Sequence, residues 1–93
     1  MKIGLLQIAL QAPFSGSLKH KRRYLQSLKM QIHNKFNVSV AEIGSQDLWQ
    51  RIDLAAVMVS TDAAHIDQVF NEVMKLIARQ AELEILEESR EML

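Results

Sequence analysis

Hydrophobic and polar residues alternate along the first eleven positions of the chain. Leu6, Ile8 and Leu10 fall on one side of an extended backbone, and the glutamines fall on the other side. This period of two predicts a β-strand over residues 3–11. A signal peptide is the alternative, because Lys2 precedes the apolar stretch, but the glutamines interrupt that stretch and we favour the strand.

The next segment, residues 18–36, has a helical period. Its apolar residues recur three, four or seven positions apart, which is typical of an amphipathic α-helix. They are Leu18, Leu25, Leu28, Ile32 and Phe36. We expect Pro13 and Gly16 to end the first strand. Ser17 is then placed to cap the helix, and Asn37 to close it in the left-handed conformation.

Two further strands are predicted after this helix, over residues 37–44 and 52–60, both rich in branched apolar residues. The connection between them is longer than a tight hairpin requires. Thr61 or Asp62 then caps a second helix. Its apolar stripe consists of Ile66, Val69, Phe70, Val73 and Ile77. The tail over residues 83–87 alternates imperfectly, and we interpret it as a last strand.

The order of these elements, βαββαβ, predicts the fold. Right-handed crossovers bring them most simply into a four-stranded antiparallel sheet with both helices on one face. We therefore expect an α+β, ferredoxin-like architecture that occupies residues 1–93 as one domain. This architecture serves many unrelated functions, so the fold alone identifies none of them.

The composition is that of a soluble globular protein, with 93 residues of which 48% are hydrophobic and 24% are charged. The chain has no cysteine, which excludes disulfides, thiolate metal sites and a cysteine nucleophile and favours a reducing cytoplasm. No apolar run approaches the length of a membrane span. The three histidines lie far apart, and the serines lack a neighbouring base. We therefore expect no metal, no cofactor and no catalytic activity.

The formal net charge of zero hides a strong asymmetry along the chain. Residues 1–41 contain seven basic residues and no acidic one, whereas residues 42–93 contain 11 acidic residues and four basic ones. The two parts therefore carry +7 and −7. Such asymmetry indicates a polyanion or membrane surface as partner, or an interaction between the two parts themselves.

Basic residues of the first helix gather beside its apolar stripe. Lys19, Arg22 and Lys29 share an arc of about 80°, with Arg23 at its flank. Cations in the first turns oppose the helix dipole, at about 0.3–1 kcal/mol each, so stability alone does not favour them. Together with the positive helix end they form a surface suited to phosphates. The alternative is a solvated face, or one neutralised by the acidic half. Lys21 falls within the apolar arc, where we expect it to snorkel along the sheet edge.

Trp49 and Arg51, with Asp47 nearby, form a second group. A lone Trp at the start of a strand is more often a half-buried anchor than a platform for bases, and Asp47 could simply pair with Arg51. The aromatic residues on central strands with which this fold stacks RNA bases are missing. A nucleic-acid role would therefore depend on shape and on phosphate contacts made by a helix.

Three segments of the chain match sequence motifs of a protein family. They are S-L-K-H-K-R-R from Ser17, F-N-V-S-V-A-E from Phe36 and D-L-W-Q-R from Asp47. With them the chain resembles, over nearly its whole length, the YlxP-like family of small bacterial proteins of unknown function. The resemblance implies a ferredoxin-like fold and, because family members are often encoded beside translation and ribosome-maturation factors, an RNA or ribosome partner. The chain departs from the family at Ala9 and Gln11, where a Glu and a His are expected.

The leading hypothesis is a non-catalytic, cytoplasmic module that docks on structured RNA or on the ribosome. The expected contact residues are Lys19, Arg22, Arg23, Lys29, Trp49 and Arg51. The alternative is a protein-interaction or self-association module, in which the basic helix meets an acidic partner or the open face of the sheet forms a homodimer. We expect no membrane role, because the apolar face of the basic helix is needed for the core.

Overall fold

The computed structural model describes residues 1–12 and 17–93, which form one sheet and two helices. The elements are β1 (Lys2–Gln11), α1 (Leu18–Lys35), β2 (Ser39–Gly44), β3 (Arg51–Ser60), α2 (Ala63–Ala78) and β4 (Glu84–Met92). The strands are antiparallel and lie in the order β2-β3-β1-β4. This confirms the predicted α+β, ferredoxin-like fold. The strand end predicted at Pro13 and Gly16 lies outside the described residues.

The pairing of β1 with β3 places their apolar residues on one face of the sheet. Leu6 lies opposite Ala56, Ile8 opposite Leu54 and Leu10 opposite Ile52. All six side chains are buried and belong to the same core as the inner stripes of α1 and α2. We call this side of the sheet the helix face and the other side the open face. The period of two predicted for β1 therefore separates the core from the open face.

Gly4 allows α2 to pack closely on β1. A Cβ atom at this position would overlap the side chain of Ile66 and would lie 3.1 Å from the ring of Phe70. Both of these α2 residues are fully enclosed in the core. The missing side chain of Gly4 thus sets the distance between helix and sheet.

The ends of the helices agree with the sequence in two cases and differ in one. Ser17 caps α1, its Oγ accepting a hydrogen bond from the His20 N–H at 3.2 Å, and Asp62 caps α2. The prediction that Asn37 ends α1 in the left-handed conformation is wrong. Instead Phe36 ends α1 in an extended conformation, with its N–H donating to a carbonyl of the last turn. Of the described non-glycine residues, only Ser45 has a positive φ.

The last strand is longer than the sequence indicated. β4 extends to Met92, well beyond the predicted segment 83–87. Its register with β1 shifts between Ala9 and Leu10, which is the signature of a β-bulge. The bulge interrupts the alternation of apolar and polar residues, and every residue of β4 is exposed at this edge of the sheet.

Candidate nucleic-acid interface

One side of α1 presents cations to solvent. Lys19, Arg22 and Arg23 are exposed, and Lys29 is partly buried. No acidic residue lies in the first turn of the helix. We call these four residues the basic face of α1. The opposite side of the helix is buried against the sheet, so the basic face points away from the core.

The acidic half of the chain does not neutralise the basic face. Among the residues that the structure describes, none of its four cations takes part in an ion pair. Glu42 of the acidic half does pair with α1, but with the buried Lys21 rather than with the basic face, and the other ion-paired acids of that half contact bases of the same half. Lys75 Nζ lies 3.2 Å from Glu72 Oε1, while Arg90 lies between Asp67 at 3.5 Å and Glu88 at 2.7 Å.

Strand order separates the two charges in space. α1 packs over β2, which is one edge of the sheet, whereas β4 is the opposite edge. The glutamates of β4 are Glu84, Glu87, Glu88 and Glu91. The net charge is therefore zero because a basic helix over one edge of the sheet and an acidic strand at the other edge cancel in the total. Such a molecule attracts an anionic partner to one side only.

Two depressions flank the basic face. Lys29 and His33 line a groove between α1 and the edge strand β2. On the other side of the helix, Lys19 and Arg23 line a shallow depression together with Ser27. Within the described chain, neither depression is lined by a carboxylate. Both therefore offer cations and neutral hydrogen-bonding groups, which suit an anion.

Lys21 does not snorkel, and that expectation is wrong. Its side chain is 1% exposed, and its Nζ donates to the carbonyl oxygens of Ser45 and Leu48 at 2.6 Å each. The third oxygen around this ammonium is Glu42 Oε2, at 3.2 Å. The two carbonyls accept hydrogen bonds, whereas Glu42 Oε2 supplies the counter-charge without accepting a hydrogen bond among the described residues. The turn that precedes Trp49 is thereby tied to the first turns of α1.

Trp49 lies in the connection that Lys21 holds and is 46% exposed. It lines a groove at one end of the open face together with Leu48, Leu86 and Gln11. Nearly half of its surface is thus free to contact a partner.

Arg51 is engaged within its own strand. Its Nε and Nη2 atoms donate to Asp53 Oδ2 and Oδ1 at 3.0 Å and 3.1 Å, and the Ser45 hydroxyl donates to Oδ2 as well. The ion pair between Asp47 and Arg51 that the sequence allowed is therefore wrong, because Arg51 pairs with Asp53. The hydrogen bond from Arg51, aided by that from Ser45, holds the pKa of Asp53 below its ordinary value against the opposing effect of partial burial.

The six predicted contact residues occupy two separate regions. The four cations of the basic face lie together on α1. Trp49 and Arg51 share a groove on the far side of the sheet, and neither of them lines a depression beside the basic face. Sequence reasoning missed the contact of Lys21 with Glu42. Its only signal was a lysine inside the apolar arc of a helix.

A comparison with protein-family models matches residues 3–90 to the family described as "Protein of unknown function (DUF503)". The chain belongs to this family. It is also 39% identical over 70 residues to "Uncharacterized protein YlxP" of Bacillus subtilis (strain 168). The aligned segment covers 75% of this chain and 76% of that protein. The resemblance to YlxP-like proteins is therefore confirmed.

Solved structures share the fold of this family member at very low sequence identity. A structural-genomics protein, YJCS, superposes with a TM-score of 0.56 and 8% identity, covering 96% of each chain. SnoaB, a cofactor-independent oxygenase from Streptomyces nogalater (mutant N63A), superposes with a TM-score of 0.53 and 8% identity, covering 99% of this chain and 90% of that one. At such identities the likeness concerns the fold alone.

Two of the family motifs meet at one ion pair. Lys21 belongs to the S-L-K-H-K-R-R run, and Glu42 ends the F-N-V-S-V-A-E run. The first motif thus has two roles. Lys21 anchors the fold, while Lys19, Arg22 and Arg23 of the same run remain at the surface.

In the ranges 1–12 and 17–93, no cluster of three or more His, Asp or Glu side chains is arranged to hold a metal ion. Neither α1 nor α2 combines the length and the apolar character that a membrane crossing requires.

Proposed function

We propose that this protein is a cytoplasmic, non-catalytic module that binds structured RNA, either free or within the ribosome, through the basic face of α1. The observation that carries this proposal is the separation of charge: four cations on one helix that form no ion pair within residues 1–12 and 17–93, and the acidic strand at the opposite edge of the sheet. A phosphate backbone is the partner that matches a row of unpaired cations.

The position of the cations in the helix supports a phosphate ligand. Lys19, Arg22 and Arg23 lie in the first turns of α1, where the helix dipole is already positive. They cost stability there, and no intramolecular acid compensates for that cost within the described chain. A bound phosphate would be stabilised by the dipole and by the side chains together. Arginine in particular can hold a phosphate through two parallel hydrogen bonds.

The proposed mode of RNA recognition follows from the lack of aromatic side chains on the open-face positions of β1 and β3. Bases stack on aromatic side chains of the central strands in RNA-binding proteins of this architecture. Here the open-face positions in the middle of β1 and β3 hold Leu5, Gln7 and Ala9 and, opposite them, Val57, Ala55 and Asp53, none of which is aromatic. Contacts to phosphates and to the shape of a folded RNA therefore fit this surface better than readout of unpaired bases.

A salt series tests the proposal. Binding to ribosomal RNA is measured by filter retention, and binding to ribosomal particles by co-sedimentation, at increasing salt. If the four cations contact four phosphates, the logarithm of the affinity falls against the logarithm of the salt concentration with a slope of about −3 to −4. The variant Lys19→Glu, Arg22→Glu, Lys29→Glu should lose binding at all salt concentrations.

The matched control changes the same amount of charge elsewhere. The variant Lys2→Glu, Lys75→Glu, Arg79→Glu reverses three cations outside the basic face and should retain most of the binding. Equal losses in both triple variants would mean that total charge, rather than the basic face, attracts RNA. A complex insensitive to salt, or no complex at low salt, would contradict the proposal.

A further inference from the structure

We propose that a second copy of this chain covers the open face of the sheet, in a homodimer whose two-fold axis runs parallel to the strands between β1 and β3. This inference does not depend on RNA binding. It rests on the composition of the open face and on the place of its acidic residues.

The open face is apolar over three of its four strands. The residues that alternate with the buried ones belong to this side of the sheet. The apolar ones are Ile3, Leu5 and Ala9 of β1, Ala41 and Ile43 of β2, and Ala55, Val57 and Val59 of β3. The polar residues Gln7, Gln11, Ser39, Arg51 and Asp53 share this face, and Ile3, Leu5, Val57 and Val59 form one contiguous apolar group at its other end. Val59 is 59% exposed and Ile43 is 51% exposed. A continuous apolar patch of this kind on a soluble protein indicates an interaction surface.

The acids of the open face lie mainly on one margin, with Asp53 of the central strand β3 as the exception, where it is paired with Arg51. Register with β1 places Glu84, Glu87 and Glu91 of β4 on this side. The carboxyl of Glu42 on β2 is turned to the other side, where it meets Lys21. The open face therefore has an apolar region at the end where Ile3 pairs with Val59, a polar end at Asp53 and Arg51, and an acidic row along the β4 edge.

This asymmetry selects one way of pairing two identical faces. With the two-fold axis parallel to the strands, β3 of one copy covers β1 of the other, and each acidic β4 lies over the partner's β2. Val59 then faces the partner's Ile3, and Val57 faces the partner's Leu5. With the axis across the strands, the two β4 rows would oppose each other, and Val59 would meet the polar end of the face at Arg51. Opposed like charges are unfavourable, so the first arrangement is preferred.

The available area is that of a specific interface. Four strands about 5 Å apart and roughly 30 Å long present about 600 Å² of projected surface per copy. Two such faces bury more than the ~1,000 Å² that distinguishes a biological interface from a casual contact. Both helices of each copy lie on the outer sides of the dimer. Lys19, Arg22 and Arg23 of the basic face therefore stay accessible, whereas the groove beside Lys29 is also lined by Val57 and Val59, which the second copy would cover.

The first experiment measures molar mass by sedimentation equilibrium over a concentration series. The wild type should approach twice 10.6 kDa as the concentration rises. Val57→Glu places a carboxylate against the partner's Leu5 and should weaken the dimer by at least about tenfold. Ser27→Glu is the control, because Ser27 is exposed on α1 away from the groove that Val57 lines, and it should leave the dimer unchanged. Circular dichroism checks that both variants are folded.

A second experiment tests the axis and remains valid if Val57→Glu does not fold. The chain has no cysteine, so a single one can be introduced by Val59→Cys. In the proposed dimer the two Cα atoms at this position lie about 11 Å apart, but about 30 Å apart when the axis runs across the strands. A short bis-maleimide should cross-link only the first arrangement. Ser27→Cys, on an outer helix, is the control and should not cross-link.

Several results would overturn the proposal. In sedimentation, they are a mass of 10.6 kDa at every concentration or a dimer that Val57→Glu leaves intact. In cross-linking, they are a dimer in which Val59→Cys does not cross-link, or does so no faster than Ser27→Cys. Loss of RNA binding in the triple glutamate variant with an intact dimer would support both proposals separately. A dimer without any RNA binding would leave this inference standing and remove only the proposed function.

Discussion

Replacing Lys21 by methionine tests the central contact of the fold. Methionine keeps the length and the apolar stem of the side chain and removes the ammonium. Three oxygens then lose their partner: the carbonyls of Ser45 and Leu48 and the carboxylate of Glu42. Glu42 Oε2 is buried and accepts no hydrogen bond among the described residues, so the ammonium of Lys21 is its ion-pair partner. A buried carboxylate would thus be left without a counter-charge.

The magnitude follows from the burial of the two partners. Removing one member of a buried ion pair costs about 3–5 kcal/mol, and Lys21 is 1% exposed while the Glu42 side chain is 16% exposed. The remaining access of Glu42 to water favours the lower part of that range. A loss of about 3 kcal/mol is a large share of the roughly 5–15 kcal/mol by which a domain is stable. It corresponds to a melting temperature lower by about 12–24 °C.

Urea unfolding followed by circular dichroism gives the free energy of unfolding. The fluorescence of Trp49, the single tryptophan, reports in parallel on the turn that Lys21 holds. A double-mutant cycle with Glu42→Gln isolates the pair, and its coupling energy should be about 0.5–3 kcal/mol. Lys29→Met is the control on the same helix and should change stability by less than about 0.5 kcal/mol. If Lys21→Met costs no more than this control, the ion pair is not what stabilises the turn.

Two further predictions concern the sheet. Gly4→Ala forces a methyl group against Ile66, and the overpacking should cost about 1–3 kcal/mol, measured as a lower melting temperature. Asp53 has a lowered pKa in the folded state because of its hydrogen bond from Arg51. Its ionised form therefore contributes stability above the unfolded pKa of about 3.9, and this contribution is lost as the pH falls through the lower folded pKa. Asp53→Asn should be less stable than the wild type at neutral pH, and the difference in urea midpoint should shrink below about pH 4.

Controls for these two variants are available in the same chain. Gly44→Ala provides a comparison for Gly4→Ala, because a Cβ at Gly44 would meet only Asp53, at an ordinary 3.8 Å. An unchanged melting temperature of Gly4→Ala would mean that α2 moves away without cost. Asp47→Asn removes an exposed carboxylate that forms no ion pair within the described residues. If its urea midpoint varies with pH as that of Asp53→Asn does, the effect of Asp53 is not specific.

Much of the fold was predictable because it depends on local periodicity. Alternation in β1 and the three-and-four spacing in α1 are properties of a strand and a helix before any packing occurs. β4 was predicted too short for a physical reason. Its bulge shifts the alternation by one residue, and at an exposed edge no buried face enforces a regular pattern.

The candidate site was predictable only in part. The helical period places Lys19, Arg22 and Lys29 on one side of α1, and this is a consequence of the sequence alone. Which partners those side chains have depends on the order of strands in the sheet. Trp49 and Arg51 follow the second strand in the chain but lie across the sheet from the basic face, and no local pattern encodes that separation.

The sequence by itself determined the order of the elements, their amphipathic faces and a charge of opposite sign on the two halves, because these are properties of neighbours along the chain. Tertiary structure decided where the charges meet. It brought Lys21 to Glu42, paired Arg51 with Asp53 and set the acidic β4 at the edge opposite α1. These contacts join residues whose distance in space is set by strand pairing and helix packing. A net charge of zero therefore describes a molecule with one basic and one acidic side.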